Sequence, residues 1–219
     1  MALTKVTGEG VGNVDSLGIG TASPTSALHV SGGAGTNIAI QSSAGTHWRI
    51  GDGVGSTNGN LVIYDYSDSR KVFEIDTLGH VTMPSQPAFL VTKSAHQLNY
   101  SGTSTVTFNT EIFDQNSDFT NNTFTAPVTG RYQLSYNLYL DGISNDANWL
   151  ESKLVTSNRS YYLTIDPDSL GNVYWNMNMS LLVDMDANDT AIVQLGVQSG
   201  SNHDDDINMV STFHGFLAC

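Results

Sequence analysis

Residues 130–140 read GRYQLSYNLYL, and their side chains alternate without a break. Tyr132, Leu134, Tyr136, Leu138 and Leu140 share one parity, while Arg131, Gln133, Ser135 and Asn137 share the other. A two-residue period of this kind is that of a strand with one face in a core; a helix would scatter the same side chains around its axis. The chain closes on STFHGFLAC, residues 211–219. Chain ends are usually polar and frayed, yet this one carries Phe213, Phe216, Leu217 and Ala218 almost to its last residue. A strand in the middle of a sheet accounts for that, buried and laddered on both sides.

Working outward, the region after residue 84 offers nine strand segments: 88–93, 105–110, 122–126, 130–140, 148–156, 159–165, 173–185, 191–199 and 210–218. They are rich in β-branched and aromatic residues, and this many strands in so short a region predicts a sandwich or jelly roll. Before residue 84 the candidates are shorter: 27–30, 37–43, 47–51, 60–67, 71–76 and 80–83. They are separated by tight turns such as SGGAGT and GDGVGSTNG. Residues 1–84 hold 14 of the 21 glycines and a net charge of −3, against −10 for residues 85–219. The prolines of MPSQP, 83–87, break a ladder, so the boundary is expected there: 1–84 a Gly-rich β shaft or attachment region, 85–219 a compact knob. With few large side chains, the first region is expected to find its core by winding several copies together.

Composition narrows the function. Charged residues are 13% of the 219, against about 25% in ordinary globular chains. The formal net charge is −13. Such a surface repels phosphate backbones, so nucleic acid is not an expected partner. There is no long apolar run for a membrane helix, and no signal peptide is read at the N-terminus. Synthesis in a host cytoplasm, with release by lysis, is the expectation. The lone Cys219 allows neither an intrachain disulfide nor a CxxC metal site.

Two resemblances follow from these segments. FDQNSDFTNNTFTAPVTGRYQLSYNLYL, 113–140, taken with STFHGFLA, 211–218, resembles the C1q/tumour-necrosis-factor family of jelly-roll domains. The matching residues include Phe113, Phe119, Phe124, Pro127, Gly130, Tyr132, Ser211, Phe213, Gly215, Phe216 and Leu217; Asn188-Asp189 stands where the family has Gly-Asp. The resemblance implies a homotrimer, with Tyr132, Tyr136, Phe213, Gly215 and Phe216 in the core or at the trimer contact. LGIGTASPTSALHVSG, 17–32, and FEIDTLGHVTM, 73–83, resemble phrases of bacteriophage tail-fibre proteins. Collagen-like G-x-y runs are absent, which favours the phage setting over an animal one.

The candidate chemistry is modest. SNHDDDIN, 201–208, places Asp204, Asp205 and Asp206 in the loop before the last strand, where Ca²⁺ could take their oxygens; the alternative is a solvated acidic loop. DMDANDT, 184–190, imitates an EF-hand start but has Asp189 where the loop needs Gly and Leu195 where it needs Glu, so it reads as a turn. GDGVGSTNG lacks the G-K-[ST] of a phosphate loop and reads as a hairpin loop. An axial ion at His29, His47 or His80 is conceivable in a trimer, against ordinary surface histidines. No G-x-S-x-G elbow or other catalytic set is present, so no enzyme is expected.

The leading expectation is a phage tail-fibre receptor-binding protein in the virion. Its first region would meet other tail proteins. Its knob would bind a bacterial surface receptor, a glycan ahead of a protein. The contact residues expected are Asn145, Asp146, Asn148 and Trp149 in loop 141–149; Asp166, Asp168 and Asn172 in loop 166–172; and Asn202 and His203 beside the triple Asp. A purely structural virion tip and a polysaccharide depolymerase are the alternatives.

Overall fold

The computed structural model describes residues 15–55, 59–100, 102–143, 147–167, 174–198 and 206–219. The chain divides into two compact units, Met1–Ser85 and Gln86–Cys219. Among the described residues every regular element is a strand.

In the first unit, β1 (Leu17–Ile19) and β2 (Leu28–Val30) pair in parallel. Gly20 makes the turn out of β1 at φ +78°, and a Cβ there would fall 1.9 Å from the Ser31 carbonyl oxygen. Only glycine fits that approach, which is the physical content of the GIGT phrase. The next five strands, β3 (Asn37–Ile40), β4 (Trp48–Asp52), β5 (Leu61–Asp65), β6 (Arg70–Ile75) and β7 (Val81–Thr82), form an antiparallel meander in chain order. GDGVGSTNG is the connection between β4 and β5, as its reading as a hairpin loop requires. Asp65 closes the β5–β6 turn. Burial opposes its ionisation, but N–H groups of Asp68 and Ser67 and the Arg70 guanidinium donate to it and hold its carboxyl below the ordinary value.

The second unit is a two-sheet sandwich. One sheet runs β10 (Thr110–Asp114), β8 (Ala88–Thr92), β19 (Thr212–Leu217), β13 (Gly130–Asp141), β16 (Trp175–Met185), with β18 (Asp206–Ile207) also on β13. The other runs β11 (Phe119–Thr120), β12 (Thr123–Thr125), β17 (Thr190–Gln198), β14 (Trp149–Thr156), β15 (Ser160–Ile165), with β9 (Gly102–Thr105) on β17. Apart from the hairpins β11–β12 and β14–β15, most successive strands pass from one sheet to the other, the jelly-roll pattern. The last strand is central: Phe213 pairs with Val91 on one side and Tyr136 on the other.

The core lies between the sheets. Tyr132, Leu134, Tyr136, Leu138 and Leu140 are all buried, as the alternation of 130–140 demands. Phe89 stacks on Phe124 at 4.7 Å and meets Phe213 edge-on at 5.0 Å. Such aromatic contacts add to the burial itself. The Asp114 carboxylate accepts N–H bonds from Asp118 and Phe119, turning the chain so that Phe119 joins this cluster. Burial, with Asp114 beside it, raises the Asp118 carboxyl.

Two expectations change. Segment 105–110 is not one strand but the crossover between sheets. Val106 N–H still bonds Val193 oxygen of the second sheet, Phe108 N–H turns to the Asn122 side chain, and Thr110 starts β10 in the first sheet. Both Val106 and Phe108 point inward, so side-chain parity persists while the ladder changes partner. The last strand is buried on one face only: Phe213 and Gly215 point into the core, while Phe216 lies on the opposite parity and is 49% exposed.

Candidate interaction surfaces

The outer face of the first sheet of the sandwich is built from the parity opposite to the core. Register sets its rows. Ala88, Phe216, Gln133 and Leu182 stand side by side. The next row is Leu90, His214, Ser135 and Ser180, and the third is Thr92, Thr212, Asn137 and Asn178. Phe113 of β10 lies beside Leu90 and, like Phe216, is 49% exposed. Ala88, Leu90, Phe113, His214 and Phe216 frame a shallow hollow of about 250 Å³. Across β8, β19, β13 and β16, charge is confined to the ends of the face: Arg131 opposite Asp184, and Asp141 opposite Asp206. His214 is exposed, but its neighbours desolvate it in part and hold it below its ordinary 6.5, so the neutral ring is favoured there too. Polar groups on the face satisfy one another, with Gln133 Nε2 donating to Ser180 Oγ at 2.9 Å and Ser135 Oγ 2.7 Å from the same atom.

Gly215 is fixed by close packing beneath this face. A Cβ there would fall 2.4 Å from Leu134 Cδ2, 2.9 Å from the Gln133 carbonyl oxygen and 3.1 Å from the Phe89 ring. Tyr132 and Tyr136 are likewise core residues, with hydroxyls bonded to Val128 oxygen and Ser152 Oγ.

The second surface is one end of the sandwich. Leu140 pairs with Trp175, Leu150 with Ile165, Trp149 with Gln198 and Asp141 with Asp206. The ends of β13, β15 and β17 and the starts of β14, β16 and β18 therefore meet there. All the loops expected to make receptor contacts spring from this end. Asn148 is exposed and its N–H bonds Gln198 oxygen; Trp149 is half-buried beside Gly196; Asp166 is exposed. Asn145, Asp146, Asp168, Asn172, Asn202, His203, Asp204 and Asp205 lie outside the described residues. Asp206 is not in a loop but starts β18, and one of its oxygens accepts the Asn99 N–H at 2.8 Å. Among the described residues no three His, Cys, Asp or Glu side chains gather as a metal site. DMDANDT is the β16–β17 turn, with Asp189 accepting bonds from Asp186 N–H and Asn158. Of the histidines considered for an axial ion, His80 pairs with Asp76 at 2.8 Å, His47 packs on Tyr66 at 5.0 Å, and His29 contacts Thr25.

Sequence reading missed an aromatic pair at this end. Tyr174, 66% exposed, stacks on Tyr139 with ring centroids 5.8 Å apart. The available signal was Tyr139 itself, an aromatic placed among Gln133, Ser135 and Asn137 on the polar parity.

A family model described as the C1q domain matches residues 88–218. Among solved structures, the globular domain of zebrafish complement 1qA protein is 19% identical, with a TM-score of 0.46, over 62% of this chain and 98% of that one. Murine APRIL, in a structure at pH 8.5, is 11% identical, with a TM-score of 0.43, over 61% of this chain and 98% of that one. No curated protein matches. C1q-like domains are typically non-enzymatic binding modules that commonly form trimers. The match spans the sandwich with its outer face and its loop-bearing end, and on it the chain belongs to the C1q domain family.

Proposed function

We propose that the protein is a trimeric adhesin, the receptor-binding part of a bacteriophage tail fibre, whose sandwich binds a glycan on the bacterial surface. The observation that carries the trimer is the outer face of β8, β19, β13 and β16, which has charge only at its ends and carries Phe216, half exposed like the neighbouring Phe113 of β10. Exposed aromatics next to polar, uncharged side chains are the composition of a contact between proteins. Three copies of this face would meet around an axis and leave the loop-bearing end free. That end carries Tyr174, Asn148 and Asp166, groups suited to a sugar: rings stack on its apolar faces, amides and carboxylates pair with hydroxyls. Three weak sites on one trimer bind a repetitive surface by avidity. The phage setting is supported by LGIGTASPTSALHVSG and FEIDTLGHVTM in the first unit, which would join other tail proteins of the virion.

The test is the mass of the purified full chain by light scattering, followed by binding to a panel of bacterial strains with and without EDTA. A mass of about 70 kDa, three chains of 23.5 kDa, with binding to some strains that their purified surface polysaccharide competes away, supports the reading. A trimer that binds no strain assigns a purely structural tip. Shortening of the polysaccharide assigns a depolymerase. Binding lost in EDTA and restored by Ca²⁺ directs mutagenesis to Asp204 and Asp205.

A further inference from the structure

The five-stranded sheet of the first unit hides its polar face and shows its apolar one. Its rows follow from register. Ile38 faces Ile50, Ile50 faces Ile63, and Ile63 faces Phe73. Ile40 faces Trp48. Leu61 faces Ile75, which in turn faces Val81. All these side chains share one face, and none is buried; Ile40 is 55% and Val81 53% exposed.

The other face carries Asn37, Arg49, Glu74 and Thr82 by the same register. It is the better covered one: Val62 and Glu74 are buried and Asn37 and Arg49 half-buried, with Thr82 exposed at the edge. Just after β4, Val54 is buried and Gly55 lies against the Tyr64 ring of this face. Val62 there is fully buried, and Glu74 is held by Asn60 Nδ2 at 2.7 Å and Lys71 Nζ at 2.6 Å. Alternating sheets ordinarily do the reverse, apolar in and polar out. An exposed apolar face of this extent marks a surface that another protein covers.

We infer that the apolar face is an interchain core, covered by the same face of two further copies of this chain. Three features select a copy of the chain over a foreign partner. The centre of the face has no charged or hydrogen-bonding side chain except the Trp48 indole, so it offers nothing for a foreign partner to pair with, yet matches itself. Its acidic residues sit at the rim and turn away: Asp52 accepts the Gly59 N–H, and Asp65 is taken up by the turn that follows. An apolar centre with a polar rim is interface anatomy. The sheet is also continuous in the chain with a C1q domain, of a family that commonly forms trimers. Tethering three sheets at one end raises their effective concentration for one another. The inference rests on the trimeric reading above and extends it to a part of the chain outside the C1q match.

Carbene footprinting of the full chain, read by mass spectrometry beside its mass by light scattering, tests it. Leu78, 80% exposed in the β6–β7 turn, is the exposed reference, and Val62 reports that the sheet is folded. The expected result is a trimer in which Ile40, Leu61 and Val81 label about five-fold or more below Leu78, as buried interface residues do. In Ile63→Glu, labelling of Leu61 should rise to the level of Leu78 while Val62 stays protected. A wild-type trimer whose face labels like Leu78 overturns this inference and leaves the trimeric C1q unit standing. A monomer overturns both. A monomer with a protected face, or an Ile63→Glu chain with Val62 and Leu61 equally protected, assigns the cover to the chain itself and overturns the inference.

Discussion

The Tyr136 hydroxyl lies 2.7 Å from Ser152 Oγ, joining β13 of one sheet to β14 of the other through the core. Both side chains are buried, and burial raises the Tyr136 phenol above its ordinary value. A buried hydroxyl that loses its partner costs more than the bond itself contributes, whereas removing both groups is nearly neutral. Tyr136→Phe should therefore destabilise by about 1–3 kcal/mol. Ser152→Ala should act similarly, and the double variant should recover most of the loss. Urea unfolding of the four proteins measures the cycle; additive losses would show that the two hydroxyls do not act as a pair.

Lys93 is a buried cation, and among the described residues no carboxylate pairs with it. Its Nζ donates to Thr107 oxygen at 2.7 Å and to Gln97 Oε1 at 3.1 Å, and burial pushes its pKa down to about 8. Between that value and the ordinary 10.5 the folded chain binds fewer protons than the unfolded chain, so stability rises with pH across the window. The wild type should gain about 2 kcal/mol between pH 8 and pH 10 relative to Lys93→Met. The difference between the two proteins isolates Lys93 from the tyrosines, whose raised values bring an opposite slope only above pH 10. A flat difference would mean that the ammonium remains hydrated.

Much of this fold is legible in side-chain parity, and what is not legible has a physical cause. Tyr132 to Leu140 alternate because one sheet face is buried along the whole strand. At 105–110 parity persists while the backbone leaves one sheet for the other, and only hydrogen-bond partners record that change. The two-residue strands Phe119–Thr120 and Asp206–Ile207 exist because neighbouring strands are there to pair with them. The outer face could be read in advance from Gln133, Ser135 and Asn137. The stacking of Tyr174 on Tyr139 was legible only by half: Tyr139 stands out on the polar parity, but its partner follows from the β13–β16 register, which sets Tyr139 opposite Asn176. The exposed apolar face of the first unit was present in the sequence as Ile38, Ile40, Trp48 and Ile50, but that Val54 would be buried and the opposite face covered depends on tertiary packing that parity does not record.

Gly215 tests how closely the last strand is seated. Its missing Cβ leaves room for Leu134 and the Phe89 ring, and the Gln133 carbonyl beside it belongs to a paired strand that cannot retreat. Gly215→Ala should destabilise by about 1–3 kcal/mol, the usual cost of overpacking a filled core. Leu134→Ala in the same chain should relieve part of the clash, so the double variant should lose less than the sum of the singles. Thermal unfolding of the three variants reads this directly, and full additivity would count against the contact.

His214 makes acid sensitivity specific to the outer face. Leu90 and Ser135 flank it by register and Phe113 lines the same hollow, and the partial desolvation they give this exposed ring holds its imidazole below 6.5. Below 6.5 the unfolded chain takes up a proton that the folded chain resists. The stability from the neutral ring is thus complete above pH 6.5 and is lost as the pH falls below it, until the lower folded value is reached. If copies of this face meet in a trimer, the exposed ring is covered and the same sign applies to assembly. His214→Gln keeps a polar, uncharged side chain and should remove this component of acid sensitivity. Sedimentation of both proteins at pH 7.5, 6.0 and 5.0 should show the wild type shifting toward lighter species at the acid end while the variant shifts less. Equal shifts would place the acid-sensitive group elsewhere, and a wild type with constant mass would show that the protonated ring is tolerated at the contact.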